Sequence, residues 1–136
     1  MAKRFRVGFS FAGEKREFVE GVAQILAARF GRDSILYDKF LMAELARGDL
    51  ALYLPRLYAE EVDLVVGIAC GNYVGKEWCG LEWRAIYGLL KQREDQSVML
   101  MRFDRVEPKG LYGLAGFIDL DDQTPAQAAR LILERW

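Results

Sequence analysis

Apolar positions along this chain fall into two kinds of stretch. Some are short and nearly continuous, and others recur every three or four residues. The first kind suits strands of a parallel sheet covered on both faces, and the second suits helices with one buried stripe. Phe5–Phe11 (FRVGFSF) reads as a first, central strand. Ala12-Gly13-Glu14 then turns the chain into a helix running to about Phe30. Phe18, Val22, Ile25, Leu26 and Phe30 lie on its inner side, and Gly31 is its stop. Ile35–Phe40 (ILYDKF) reads as a second strand, and 41–48 as a loop or a loop with a helical turn. Asp49 is placed to cap the next helix, in which Leu50, Tyr53, Leu54, Leu57 and Tyr58 recur at helical spacing. Pro55 falls inside that helix and should kink it or mark a restart. Val62–Ala69 (VDLVVGIA) is the strongest strand. A loop over 70–76 leads to a helix that carries Trp78 and Glu82 and ends near Lys91. Val98–Phe103 (VMLMRF) is a fourth strand, 104–115 a loop, and Phe117–Leu120 a short fifth strand. Thr124-Pro125 is a cap followed by a first-turn proline, opening a last helix that runs to Trp136.

Strand and helix thus alternate, which predicts an α/β fold with a mainly parallel sheet. The expected architecture is a flavodoxin-like three-layer sandwich with five strands in the order 2-1-3-4-5. The 136 residues suit a single domain, 1–136, without internal repeat or linker. In such sheets the ligand lies beyond the carboxyl ends of the strands, where strand order reverses. Here that point falls between strands one and three. The loops involved are 10–14 and 70–76, and the second leads directly to Trp78 and Glu82.

Trp78 and Glu82 are four residues apart, so a helix stacks them on one face, which continues through Leu81, Ala85 and Leu89. Burial of a carboxylate disfavours its charged form, and such a group is a candidate acid, base or electrostatic stabiliser. The plainer alternatives are a solvated helix glutamate and a core tryptophan. A second face, Cys79, Trp83, Ile86, Tyr87 and Leu90, is also apolar. A helix apolar nearly all round is either deeply buried or covered by a partner.

Composition narrows the chemistry further. Apolar residues make up 52%, charged residues 29%, and the net charge is −1, an ordinary globular balance with no basic excess for nucleic acid. No signal peptide is read, and no apolar run approaches the ~18 residues of a membrane span. A cytoplasmic protein with reduced Cys70 and Cys79 is therefore expected. There is no histidine, which excludes Ser-His-Asp and Cys-His catalysis and histidine zinc sites. Gly8–Gly13 (GFSFAG) is neither a dinucleotide fingerprint, a P-loop nor a nucleophile elbow. A two-carboxylate glycosidase using Asp38, Glu44 and Glu82 stays open.

Taken together, four segments resemble the TIR (Toll/interleukin-1 receptor) domain of the bacterial, NAD-cleaving type. FSFAGEKREFV at 9–19 resembles the family's first strand, AA loop and first helix. YDKF at 37–40 with AELARGDL at 43–50 resembles its second strand and BB loop. WCGLE at 78–82 matches its WxxxE signature, and FIDL at 117–120 with the Thr124-Pro125 helix resembles its close. The resemblance implies cleavage of the nicotinamide–ribose bond of NAD+, with Glu82 as the catalytic glutamate. No metal and no cofactor are implied, NAD+ being the substrate. Trp78 would form an aromatic wall, and Ser10 and Phe11 would line the nicotinamide side. Tyr37 and Asp38 would stand near the same crevice, Asp38 alternatively anchoring the BB loop. Lys39 and Arg47 would flank that loop, within reach of phosphates. The family also implies self-association, in a homo-oligomer or filament, through the BB loop and the Trp83/Tyr87 face. Its setting would be bacterial anti-phage defence or signalling. A non-catalytic TIR adaptor and a nucleoside-processing enzyme of similar fold are the rival readings.

Overall fold

In the computed structural model, which describes residues 3–11, 15–69, 98–104 and 116–136, the apolar runs form one five-stranded parallel sheet. The strands are β1 (Phe5–Phe11), β2 (Ile35–Leu36), β3 (Val62–Ala69), β4 (Val98–Arg102) and β5 (Ile118–Asp119). Among the described residues the helices are α1 (Arg16–Phe30), α2 (Met42–Leu45), α3 (Leu50–Glu60) and α4 (Pro125–Arg135). The sheet order is β2-β1-β3-β4-β5, so the reversal falls between β1 and β3, as in the flavodoxin-like order expected of the family it resembles.

Side chains alternate across the pleat, and the two sets enter separate cores. Val7, Phe9, Leu64, Val66, Ile68, Met99 and Met101 join Val22 and Leu26 of α1 and Ile132 of α4 on one face. Leu36, Val65, Val98 and Leu100 join Leu54, Leu57 and Tyr58 of α3 on the other. That is why β3 and β4 read as nearly unbroken apolar runs: neither of their faces meets water. Burying each such side chain stabilises the fold by about 1.5–3 kcal/mol. α1 and α4 share a face, and Gly21 lets them meet. A Cβ there would stand 3.0 Å from the Pro125 ring. Gly31 ends α1 with φ at 95°, a conformation costly for any residue with a Cβ. α4 begins with a capping box, in which Thr124 Oγ1 accepts from the Gln127 N–H and Gln127 Oε1 accepts from the Thr124 N–H.

Several sequence expectations are corrected in detail. The second strand does not run to Phe40. It pairs with β1 only at Val7–Ile35 and Gly8–Leu36, then gives way to a 3-10 turn over Asp38–Phe40. The turn closes through Phe40 N–H to Tyr37 O and Leu41 N–H to Asp38 O. An edge strand has neighbours on one side only, so local turn bonds displace the ladder easily there. Ile25 is 40% exposed, because α1 turns Val19, Val22, Ala23 and Leu26 inward and leaves Ile25 at the margin of the stripe. Asp49 precedes α3 but makes no side-chain cap. Its carboxylate is held by Arg47 instead, at 2.5 and 3.2 Å. α3 is continuous through Pro55 and does not restart there. The 41–48 stretch contains the expected helical turn as α2.

Candidate functional site

At the carboxyl ends of β1 and β2 the chain leaves a cavity of about 100 Å³. Phe9 and Phe11 from β1, Leu36 from β2, Leu45 from α2, and Leu54 and Tyr58 from α3 form its walls, with Arg16 and Asp38 among the lining residues. The walls are fixed from within. Tyr58 donates its hydroxyl hydrogen to the Phe9 carbonyl at 2.5 Å, tying α3 to β1. The cavity therefore combines apolar side chains with the charged Arg16 and Asp38, and is smaller than the ~300–1,000 Å³ of an ordinary small-ligand pocket.

Of the candidates named from the sequence, Phe11 and Asp38 line this cavity, and Tyr37 packs against Phe11 without lining it. The Phe11 and Tyr37 rings lie 5.8 Å apart and tilted at 34°. Tyr37 is a core residue, 1% exposed, with Phe40 edge-on at 5.0 Å. Its hydroxyl donates to Glu20 Oε1 at 2.9 Å and accepts from Arg16 Nη1 at 3.3 Å. Burial pushes the Tyr37 phenol up. Donation to Glu20 adds to this, and the Arg16 guanidinium works against it. Asp38 lies just past β2 and takes both arms of the Arg16 fork, at 2.7 and 2.8 Å. That fork holds Arg16 in its charged form even more firmly than usual.

Ser10 faces elsewhere. Between Phe9 and Phe11, the pleat turns its side chain to the opposite face of β1. It is 1% exposed and stands level with Gly67 of β3 in the sheet register. Among the described residues, Ser10 Oγ is the buried side-chain polar atom without a hydrogen-bond partner. An orphaned buried hydroxyl costs stability and calls for an explanation. Trp78 and Glu82, together with Trp83 and Tyr87, lie outside the described residues.

Sequence reasoning missed a second cluster, which fastens the 41–49 loop. Glu44 of α2 receives both arms of Arg4, one at 2.6 Å, and accepts the Tyr53 hydroxyl hydrogen. Arg47 stacks over the Tyr53 ring with 3.7 Å from its guanidinium carbon to the centroid. Hydrogen bonding from Arg4, aided by Tyr53, brings the Glu44 carboxyl down from 4.5 to about 2. Because its pKa is lower in the folded state, Glu44 contributes stability that is full above about 4.5 and lost as pH falls toward about 2. Thermal melts across that window should show wild type losing more stability than Glu44→Gln. Parallel curves would show that the pair contributes nothing to folding.

Asp38 and Glu44 are thus engaged in separate ion pairs. Lys39 Nζ lies 3.7 Å from Glu20 Oε1, and Arg47 is engaged by Asp49. Arg16 was the residue most easily overlooked. Its one sequence signal was its place one helical turn before Glu20, on the same side of α1. Among the described residues no group of three or more His, Cys, Asp or Glu could hold a metal ion, and no helix is long and apolar enough to cross a membrane.

A family model described as "TIR domain" matches residues 7–133. The 3' cyclic ADP-D-ribose synthase AaTIR of Aquimarina amphilecti is 31% identical over 128 residues, which cover 94% of this chain and 38% of that protein. The chain therefore spans well under half the length of that relative.

Proposed function

The chain belongs to the TIR domain family, and from that premise we propose that it is an NAD+ nucleosidase, breaking the bond between nicotinamide and ribose. The observation that carries this reading is the relation to a cyclic ADP-ribose synthase, together with Trp78 and Glu82 inside the matched residues 7–133. The chemistry asks little of the protein. The C–N bond breaks, neutral nicotinamide leaves with the electron pair, and positive charge grows on the ribose as an oxocarbenium ion. The Glu82 carboxylate stabilises that charge and holds the ribose hydroxyls. Water capture gives ADP-ribose and a proton. Capture by a nucleophilic atom of the same molecule gives a cyclic isomer and a proton.

Trp78 provides a flat wall for the nicotinamide ring or the adenine. Phe11 forms an aromatic side of the site with the buried Tyr37 ring behind it, and Asp38 accepts from ribose hydroxyls. We place Ser10 Oγ against the carboxamide or a ribose oxygen only once the substrate uncovers the end of β1, since its side chain lies buried on the face opposite Phe11. Ser10→Ala is then expected to raise stability by up to about 1 kcal/mol, by removing an unsatisfied hydroxyl, while lowering turnover of NAD+. Denaturant melts and initial rates measured on the same preparation check this pair of signs. A loss of both would assign the hydroxyl a structural role.

Self-association belongs to the same proposal, with the BB loop (43–50) and the Trp83/Tyr87 face as contacts. Met42 and Leu52 support the loop's part, being 71% and 74% exposed beside it. A non-catalytic adaptor would use the same surface. The setting we propose is a bacterial effector of anti-phage defence or signalling, acting in the cytoplasm. Chromatography of NAD+ incubated with the protein separates the readings. The enzyme yields nicotinamide and an ADP-ribose species in equal amounts, whereas the adaptor leaves NAD+ intact.

A further inference from the structure

Asp38 follows the two-residue edge strand β2 and sits in a 3-10 turn, where backbone alone fixes a side chain poorly. It is nonetheless held, and by one residue. Arg16 Nη1 and Nη2 grip its two carboxylate oxygens at 2.7 and 2.8 Å. The same Nη1 donates to the Tyr37 hydroxyl at 3.3 Å, and that hydroxyl is anchored on Glu20 at 2.9 Å. The guanidinium also covers the aromatic pair, its carbon 5.1 Å from the Phe11 centroid and 5.8 Å from that of Tyr37. Arg16 and Asp38 both line the cavity, with side chains 33% and 47% exposed. An exposed ion pair is worth about 0–1 kcal/mol to folding, more where it is bidentate, so the fork stabilises the end of β2 as well as fixing Asp38. Beyond stability, the fork sets orientation. A carboxylate gripped by both oxygens keeps its remaining lone pairs in a fixed orientation, available to a ligand's hydroxyls.

We propose that Arg16 is a positioning residue of the NAD+ site, holding Asp38 and the Phe11 ring in the geometry that receives the substrate ribose. The inference rests on the NAD+ reading above and concerns how binding is organised, since Arg16 acts through Asp38. Lysine would keep the charge but lose the fork and the flat stacking surface.

The test is steady-state NAD+ cleavage by the full chain, for wild type, Arg16→Lys, Arg16→Ala, Asp38→Asn and the double variant Arg16→Ala/Asp38→Asn. Both Arg16 variants should raise KM by about tenfold while kcat changes by less than about threefold, as expected when a binding group is loosened. In the Asp38→Asn background, removing Arg16 should add less than about twofold, because the partner it positions is already gone. Thermal melts accompany every variant, and Arg16→Lys carries the test if Arg16→Ala fails to fold. A merely structural Arg16 would lower the melting temperature and the active fraction while leaving KM unchanged. Wild-type KM in a folded Arg16→Lys, or penalties that multiply in the double variant, would overturn the inference while leaving the NAD+ reading in place. No cleavage by assembled wild type would remove that reading, and the inference with it.

Discussion

Glu82→Gln is expected to reduce kcat/KM for NAD+ by at least about 10²–10³-fold, the scale on which a preorganised electrostatic stabiliser acts in a water-poor site. Glutamine matches glutamate in size and hydrogen-bonding reach but carries no charge. A fold supported by packing should therefore survive the change, while an oxocarbenium ion loses its counter-charge. No histidine is available to take over, and acid–base help to the leaving group is unnecessary because nicotinamide departs neutral. The effect should therefore appear mainly in kcat, where interactions made only in the transition state are read. Nicotinamide release measured beside a thermal melt checks both halves. Activity within tenfold of wild type in a folded variant would move the chemistry to another residue.

Tyr37→Ala should cost about 3–5 kcal/mol of stability, the range for deleting a buried aromatic ring. The ring is 1% exposed, rests against Phe11 and Phe40, and anchors the end of β2 to α1 through Arg16 and Glu20. Domains of this kind are stable by only about 5–15 kcal/mol, so the variant should lose a large share of its stability and, at the low end of that range, sit close to its unfolding midpoint. Tyr37→Phe keeps the packing and removes only the hydroxyl, at about 1–2 kcal/mol. Urea titrations of the three proteins measure the difference. A Tyr37→Ala midpoint matching wild type would mean that the cavity wall is held by other contacts.

The sheet was legible in the sequence because its central strands announce themselves. β1 and β3 are found at the boundaries their apolar runs predict, Phe5–Phe11 and Val62–Ala69. The capping signal of α4 is equally local: Thr124, Pro125 and Gln127 determine it among themselves. Reading failed where a long-range partner decides. Nothing in ILYDKF reveals that Asp38 is claimed by a residue of α1, whereas Asp49 loses its capping role to a near neighbour, Arg47, two residues before it. The same limit applied at the site. Phe11, Tyr37 and Asp38 could be named from the sequence as residues near one crevice, but Arg16 could not. Its role depends on the fold bringing the first turn of α1 beside the end of β2. Ser10 could be named too, but its lack of a partner is visible only in three dimensions.

The central claim is that this TIR domain itself breaks the nicotinamide–ribose bond of NAD+. The most direct measurement is nicotinamide release from NAD+ by the wild-type chain at high concentration, free and fused to an oligomerising partner. The account predicts one nicotinamide released per NAD+ consumed, with a rate that rises on assembly. A folded, demonstrably assembled protein that leaves NAD+ intact would contradict it and leave the adaptor reading in its place.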